Sequence, residues 1–459
     1  MGRPQRFRRL MESIELRRTA KAVQAAPTGD ASSGELRNLW QTLSPPRHAY
    51  RPLEDAADCD IAIVGGGLAG VSLAYHLASK GSSVALLEAV ELGHGASSRA
   101  AGIIAPQLTR HTPVSVKQAL GAEPGERFLR VLAESGHYLF DLVRSTGIEC
   151  SAGQQGFLSP VVGAAAAARL AQSIEQWQSL RSDLELLDAH QTRHLSGCTG
   201  YDAALLDRSG GSLDPLALTQ GLGQLAVAAG ARVFTNSPVV ELVGSGDRWR
   251  LRTPRGQVSA RRVVLCAHLG NSGLDHRLRG TVMPLPVFQV ATRRLDPSLR
   301  SEILPEGQAL TDQEADVFSI RYADDGRLIT AYPAPLGTGL EAVAAAINNR
   351  LKRAIPAFPN TPLEFVWHGT ALVNSTLLPR IVQLQDGLLA VQACNGRGIG
   401  LNVILGRELA RWLSTSGNPE IGIPLDRPRK IRGFWLAQHL PRLVTMLGRW
   451  QRRWSGPRA

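Results

Sequence analysis

Apolar residues in this chain follow two rhythms, and the stretches between them are marked by glycine, proline and acidic turns. Short apolar runs predict strands at residues 60–64, 83–87, 281–292 (with Pro284 and Pro286), 316–321 and 327–332, the last two joined by the turn Asp324-Asp325-Gly326. Longer stretches predict helices from the glycines at 65–70 through Lys80, after Asp214-Pro215 to Ala229, at the alanine-rich 164–180, at 342–355 and toward Leu413. The apolar run 61–78 is about as long as a membrane span, but three consecutive glycines, Ser72 and His76 interrupt it. From Leu436, the residues Leu440, Leu443, Leu447, Trp450 and Trp454 draw one narrow helical stripe, with Arg442, Arg449, Arg452 and Arg453 off it and Pro441 set to kink it. Such a segment either packs on the body or lies at an anionic membrane surface as a peripheral contact.

With 459 residues, 44% of them hydrophobic, the chain has material for two cores. Its net charge of +12 suggests nucleic acid until the charge is located. Residues 1–22 hold 7 basic and 2 acidic side chains, and residues 427–459 hold 9 basic and no acidic ones. The body between them carries slightly more acid than base, so nucleic acid is not a favoured partner. Cys59, Cys150, Cys198, Cys266 and Cys394 form no CxxC pair, which predicts neither a zinc site nor a disulfide framework. The arginine-bearing N-terminus lacks an apolar run with a cleavage site, so a cytoplasmic location is expected.

The strand at 60–64 runs into Gly65-Gly66-Gly67-Leu68-Ala69-Gly70 and then a helix, the context a dinucleotide turn requires. Gly65 allows the tight turn, Gly67 clears space for a pyrophosphate, and Gly70 lets helix and strand approach. Leu68 and Ala69 start the helix whose free N–H groups face the phosphates. Glu88, ending the next strand 18 residues after Gly70, is placed for ribose hydroxyls and repels a 2′-phosphate.

The small-residue loop Gly93-His94-Gly95-Ala96-Ser97-Ser98-Arg99-Ala100-Ala101-Gly102 resembles the GASxRxxG loop of the D-amino-acid oxidase superfamily of FAD-dependent oxidoreductases, in the branch with glycine, sarcosine and γ-glutamylputrescine oxidases. That resemblance implies FAD as cofactor, with Ala96, Ser97, Ser98, Arg99 and Gly102 in contact with it. Ser212-Leu213-Asp214-Pro215 and the stretch to Val243 resemble the part that meets adenine, near Val239. Residues 262–267 resemble the strand that returns to the dinucleotide, placing Ala267 by the pyrophosphate. Cys394-Asn395-Gly396-Arg397-Gly398-Ile399-Gly400 resembles the loop at the flavin's pyrimidine end.

The family implies an α/β fold, a Rossmann-like FAD-binding domain interleaved with a sheet-based substrate domain. The expected division is a basic tail and linker at 1–56, FAD-binding parts at 57–150, 201–280 and 366–425, substrate parts at 151–200 and 281–365, and a basic amphipathic segment at 426–459. The implied reaction is oxidation of an amine or amino acid by hydride transfer to flavin N5, giving an imine. Oxygen or a membrane quinone would take the electrons, and oxidation of a modified tRNA base is a further alternative.

Residues 367–371 resemble the strand beside the flavin. Glycine oxidase-like members carry a carboxylate-binding arginine two positions after the glycine, where this chain has Ala371. The departure favours an amine, an N-substituted or larger substrate, or a carboxylate held by Arg321 or Arg397. His368 is a proton acceptor or a packing residue, Trp367 a pocket wall or core, Arg397 a cofactor, substrate or surface group, and Tyr322 a lid residue.

Overall fold

The computed structural model describes residues 38–437 except 47, 109, 315–316, 334–338, 360 and 416–419. The stripe at 440–454 and the basic stretch 1–22 lie outside the described residues. No helix among the described residues is long and apolar enough to cross a membrane.

Two sheets organise the molecule. The first has the strand order Leu425–Asp426, Arg380–Gln385, Leu388–Gln392, Gln257–Leu265, Ala56–Val64, Val84–Leu87, Arg232–Phe234, with the hairpin Glu241–Ser245 and Arg248–Arg252 attached to the long central strand. Its inner strands are parallel. Both faces are covered, so Ile61, Ala62, Ile63 and Val64 are all buried and the strand reads as a continuous apolar run. On one face the helices Leu68–Ala78, Ala122–Thr146, Pro215–Ala228 and Gly398–Ser414 enclose the largest apolar cluster. Ser72 Oγ donates to Val403 O at 2.6 Å across two of them.

The second sheet runs Leu363–Val373, Met283–Arg294, Arg327–Pro333, Ser319–Tyr322, Ala309–Thr311, Phe157–Val161, Ala203–Asp207, Leu184–Asp188. The strand expected from 316 begins at Ser319, and its partner spans Arg327–Pro333. Side chains alternate across this sheet. Phe288, Val290, Ile320, Leu328 and Val366 face the helix Leu340–Ala354, whereas Ala291, Ile329, Phe365 and Trp367 face the opposite way, onto Leu39 and Trp40.

Sheet membership departs from the expected boundaries at two places. Ala203–Asp207 and the whole of Leu363–Val373 belong to the second sheet, although the boundaries drawn at 201 and 366 assign them elsewhere. The resemblance located cofactor contacts, not hydrogen-bonded neighbours. The stretch expected as tail and linker before residue 57 carries ordered structure from Asn38 onward. The helix Leu39–Leu43, capped by Asn38, buries Leu39 and Trp40 completely, and Leu53 joins the apolar cluster under the first sheet.

Candidate functional site

At the carboxyl ends of the parallel strands the chain forms a bare crevice. Gly65 has φ +111°, and a Cβ there would sit 2.7 Å from Ala267 N. A Cβ on Gly70 would sit 2.0 Å from Gly65 O, so turn and helix can approach this closely only without side chains. Gly67 is different: its backbone is extended, and an added Cβ would meet only Ser97 Oγ, at 3.0 Å. That hydroxyl accepts from Leu68 N at 3.0 Å, taking one free donor of the helix N-terminus. Glu88 is fixed at the lip, its Oε2 accepting from Gly66 N at 2.7 Å and its Oε1 from Val90 N at 3.0 Å. Both oxygens keep lone pairs for a further donor.

Ala267 abuts Gly65, and its N–H donates to Asn271 Oδ1 at 2.8 Å. Next to it His268 adopts φ +55°, and its buried Nε2 has no partner. Burial pushes its imidazole down to about 4. Nothing in the sequence marks His268, because neither the left-handed backbone nor the lost solvation follows from residue type. Val239 packs beneath the first sheet with Val64 and Leu87, and nearby Ser237 N donates to Glu88 O at 2.9 Å.

The small-residue loop runs from this crevice to the second sheet. Ala96 precedes a single helical turn, Ser97–Arg99, and Ser98 is buried. Arg99 reaches the strand Leu363–Val373, where its Nη1 donates to His368 O at 3.2 Å; burial lowers its pKa. The loop is pinned from behind by the N-terminal segment. Asn38 Nδ2 donates to Ser98 O and Trp40 Nε1 to Ala100 O, each at 2.9 Å. Gly102, at φ +76°, lies so close to Leu213 O that a Cβ would come within 2.1 Å.

Three of the expected catalytic residues are placed elsewhere. Arg321 is buried over the Trp40 ring and donates to Ala101 O at 2.7 Å, Leu213 O at 2.9 Å and Tyr322 O at 3.2 Å. Its N–H groups hold backbone carbonyls, and burial pushes its pKa down to about 10. Tyr322 points to the opposite face, into the cluster under helix Leu340–Ala354, with the Arg300 guanidinium 5.1 Å from its ring. His368 also lies on that far face, its ring 5.8 Å edge-on from Phe288. Burial, then the nearby Arg99, holds it below the usual histidine range. Strand alternation explains Tyr322 and His368, since Gly369 and Ala371, not His368, share the face of Trp367; Arg321 lies on the near face, and its backbone partners occupy it instead.

On that near face two directly paired residues carry buried polar atoms without partners, Gln289 Oε1 and Trp367 Nε1. At the far end of the strand Leu363–Val373, the loop after Gln392 turns through Asn395 (φ +41°) and Gly396 (φ +85°), with Asn395 N donating to Leu372 O at 3.0 Å. A side chain at Gly396 would meet nothing within 4 Å. Arg397 then caps the helix that starts Gly398-Ile399. Its guanidinium lies 5.4 Å from the Phe157 ring on the second sheet and donates to Gln107 Oε1 at 3.4 Å. The glycine turn thus touches the small-residue loop at Ser97, and that loop and the Arg397 loop each reach the second sheet. A bare turn, a helix N-terminus, an acidic lip and orphaned polar atoms fit an extended dinucleotide with a flat ring.

The sequence matches a family described as FAD dependent oxidoreductase (DAO) over residues 60–412. The gamma-glutamylputrescine oxidoreductase of Escherichia coli K12 is 27% identical over 368 residues, covering 79% of this chain and 85% of that protein. The solved L-proline dehydrogenase from P. horikoshii shares the fold with a TM-score of 0.67 at 18% identity, over 80% of this chain and 96% of the other. Glycine oxidase from Geobacillus kaustophilus gives 0.62 at 21% identity, over 78% and 96%.

Proposed function

This chain belongs to the FAD-dependent oxidoreductase (DAO) family, and from that premise we propose that it oxidises an amine or amino acid at a carbon–nitrogen bond. The observation that carries the reading is the bare turn at Gly65–Gly70 beside Glu88, joined through Ser97 and Arg99 to the second sheet. Bound FAD supplies the chemistry, accepting a hydride from the carbon next to nitrogen and leaving an imine that water hydrolyses.

The chain's own residues supply position and exclusion of water. The bare Gly67 and the helix N-terminus at Ala69 would receive the pyrophosphate, with Leu68 N–H tied to Ser97 Oγ; Glu88 would accept from the ribose, and Ala267 and Val239 would flank the nucleotide. Ala96 to Arg99 and Gly102 lie along the chain that leads to the ring, and Gly396, Gly398 and Ile399 close its far end. The N-terminus of helix Gly398–Ser414 faces developing negative charge. The reading demands no dedicated acid–base pair, since a neutral amine needs only orientation. The named activities of similar proteins, on γ-glutamylputrescine, proline and glycine, support an amine or amino acid as the substrate class.

The test is to load the protein with FAD and add amines and amino acids one at a time without oxygen. Loss of the flavin's visible absorbance with at least one is expected; a flavin-loaded protein that no member of a broad panel bleaches defeats the proposal. Re-oxidation by oxygen and by a soluble quinone, compared on the same reduced protein, separates an oxidase from a dehydrogenase.

A further inference from the structure

We propose that the imidazole of His268 binds the diphosphate of the dinucleotide, donating Nε2–H to a phosphate oxygen. This rests on FAD occupying the crevice and does not depend on which substrate is oxidised.

Three observations lead to it. First, the residue stands where the crevice is built. The strand Gln257–Leu265 lies between Ala56–Val64, which runs into the glycine turn, and Leu388–Gln392, which runs into the Arg397 loop. Cys266 N donates to Val64 O at 2.7 Å and Ala267 abuts Gly65, so His268 follows one residue beyond the contact with the bare turn. Second, its backbone and its ring are both unfavourable as they stand. At φ +55° the histidine occupies the left-handed region that a side chain rarely adopts, and its enclosed Nε2 has no partner among the described residues. Asn271, three residues on, is spent on Ala267 N at 2.8 Å and Leu265 O at 3.2 Å. Strain and an unmade hydrogen bond held together at one residue mark a place where a ligand completes the fold.

Third, the crevice is short of donors for a doubly charged group. The N–H groups of Gly65, Gly66 and Leu68 are spent on Leu87 O, Glu88 Oε2 and Ser97 Oγ, and that of Ala267 on Asn271. Arg99 turns away to the carbonyls of His94 and His368. That leaves the bare Gly67 and the helix start at Ala69. His268 supplies the missing donor. Burial keeps its ring neutral near pH 7, with one N–H to give, and that hydrogen sits on Nε2 when an anion stands there. A hydrogen bond to a charged oxygen is one of the strong ones.

The experiment uses the full-length apo-protein as wild type, His268→Gly, His268→Asn and His268→Asp, three replacements that suit a left-handed backbone. Denaturant unfolding reads stability, fluorescence titration reads the Kd of FAD, and calorimetry reads the Kd of ADP, which carries the diphosphate without the flavin. His268→Gly should leave the apo-protein at least as stable as wild type and bind FAD and ADP each roughly tenfold or more weakly. His268→Asn, with an amide N–H, should regain part of that loss. The isosteric His268→Asp, which has no donor and carries negative charge, should bind both ligands most weakly. Equal affinities in wild type and His268→Gly, or in the Asn and Asp variants, overturn the proposal. So does a loss confined to FAD, which would set the imidazole against another part of the cofactor, or a fall in apo stability that matches the fall in affinity. Should His268→Gly fail to fold, the Asn and Asp pair carries the comparison. A wild type that binds ADP but not FAD defeats the flavin reading while the ADP titrations still decide His268; one that binds neither defeats both.

Discussion

Two glycines of one turn separate folding from binding at the level of a single methyl group. Gly70→Ala drives a Cβ into Gly65 O, an overpacking expected to cost about 1–3 kcal/mol in denaturant unfolding of the apo-protein. Gly67→Ala meets only the Ser97 hydroxyl, so stability should hold while FAD affinity, read by fluorescence titration, falls at least about tenfold. Equal damage to stability from both would show that the crevice is a packing feature. Arg321→Met leaves three carbonyls without their donor and should cost roughly 3 kcal/mol or more in the same measurement. A variant that folds normally and loses only substrate affinity would return Arg321 to the list of anchors.

His268 gives stability a pH dependence. Its folded pKa of about 4 lies below the ordinary 6.5, so the unfolded chain binds its proton first as pH falls. The associated stability is complete above 6.5 and is lost progressively toward 4. His76, held at about 4 by burial, acts in the same window. His268→Gly should flatten part of that loss in the apo-protein and tolerate the left-handed φ without strain; an unchanged slope would assign the effect to His76 and other groups. At this scale the sequence marked the tight approach of Gly65 and Gly70 and the place of Glu88 beside the glycine turn, since both follow from backbone geometry and spacing. The faces taken by Tyr322 and His368 and the backbone partners of Arg321 could not be read from it, because residue type does not say which face of a strand a side chain occupies or what it bonds.

Among the elements, the one least visible in sequence is the short helix Leu39–Leu43. It lies outside the stretch that matches the family, yet it pins the small-residue loop through two hydrogen bonds and inserts Trp40 between Arg321 and Trp367. Only the Asn-Leu-Trp sequence, a capping residue before an apolar pair, signals it. Trp40→Phe keeps the ring and removes the indole N–H. The expected result is about 1 kcal/mol less stability and several-fold weaker FAD binding with a shifted flavin spectrum; an unaltered spectrum and affinity would reduce this helix to mere packing. The strands and helices carried by hydrophobic rhythm, such as those at 60–64, 164–180 and 327–332, were legible to within a few residues. Strand pairing was not, because partners in the second sheet come from segments as distant as Phe157–Val161 and Ala309–Thr311.

Considered as a whole, the molecule sets a parallel sheet with its loops at the carboxyl ends against a second, mostly antiparallel sheet. The glycine turn touches the small-residue loop, and that loop and the Arg397 loop each reach the second sheet. Ordered motifs made the dinucleotide half readable; the substrate half depends on long-range pairing and on which charged groups are already spent. The central claim is that FAD occupies the crevice at Gly65–Gly70 and takes electrons from an amine in the facing gap. The most direct test is anaerobic absorbance of the FAD-loaded protein during titration with amino acids and amines. The account predicts stoichiometric flavin that bleaches with an amine or amino acid and is bound at least about tenfold more weakly by Gly67→Ala; a protein that binds no flavin, or whose Gly67→Ala variant binds it as tightly as wild type, would contradict it.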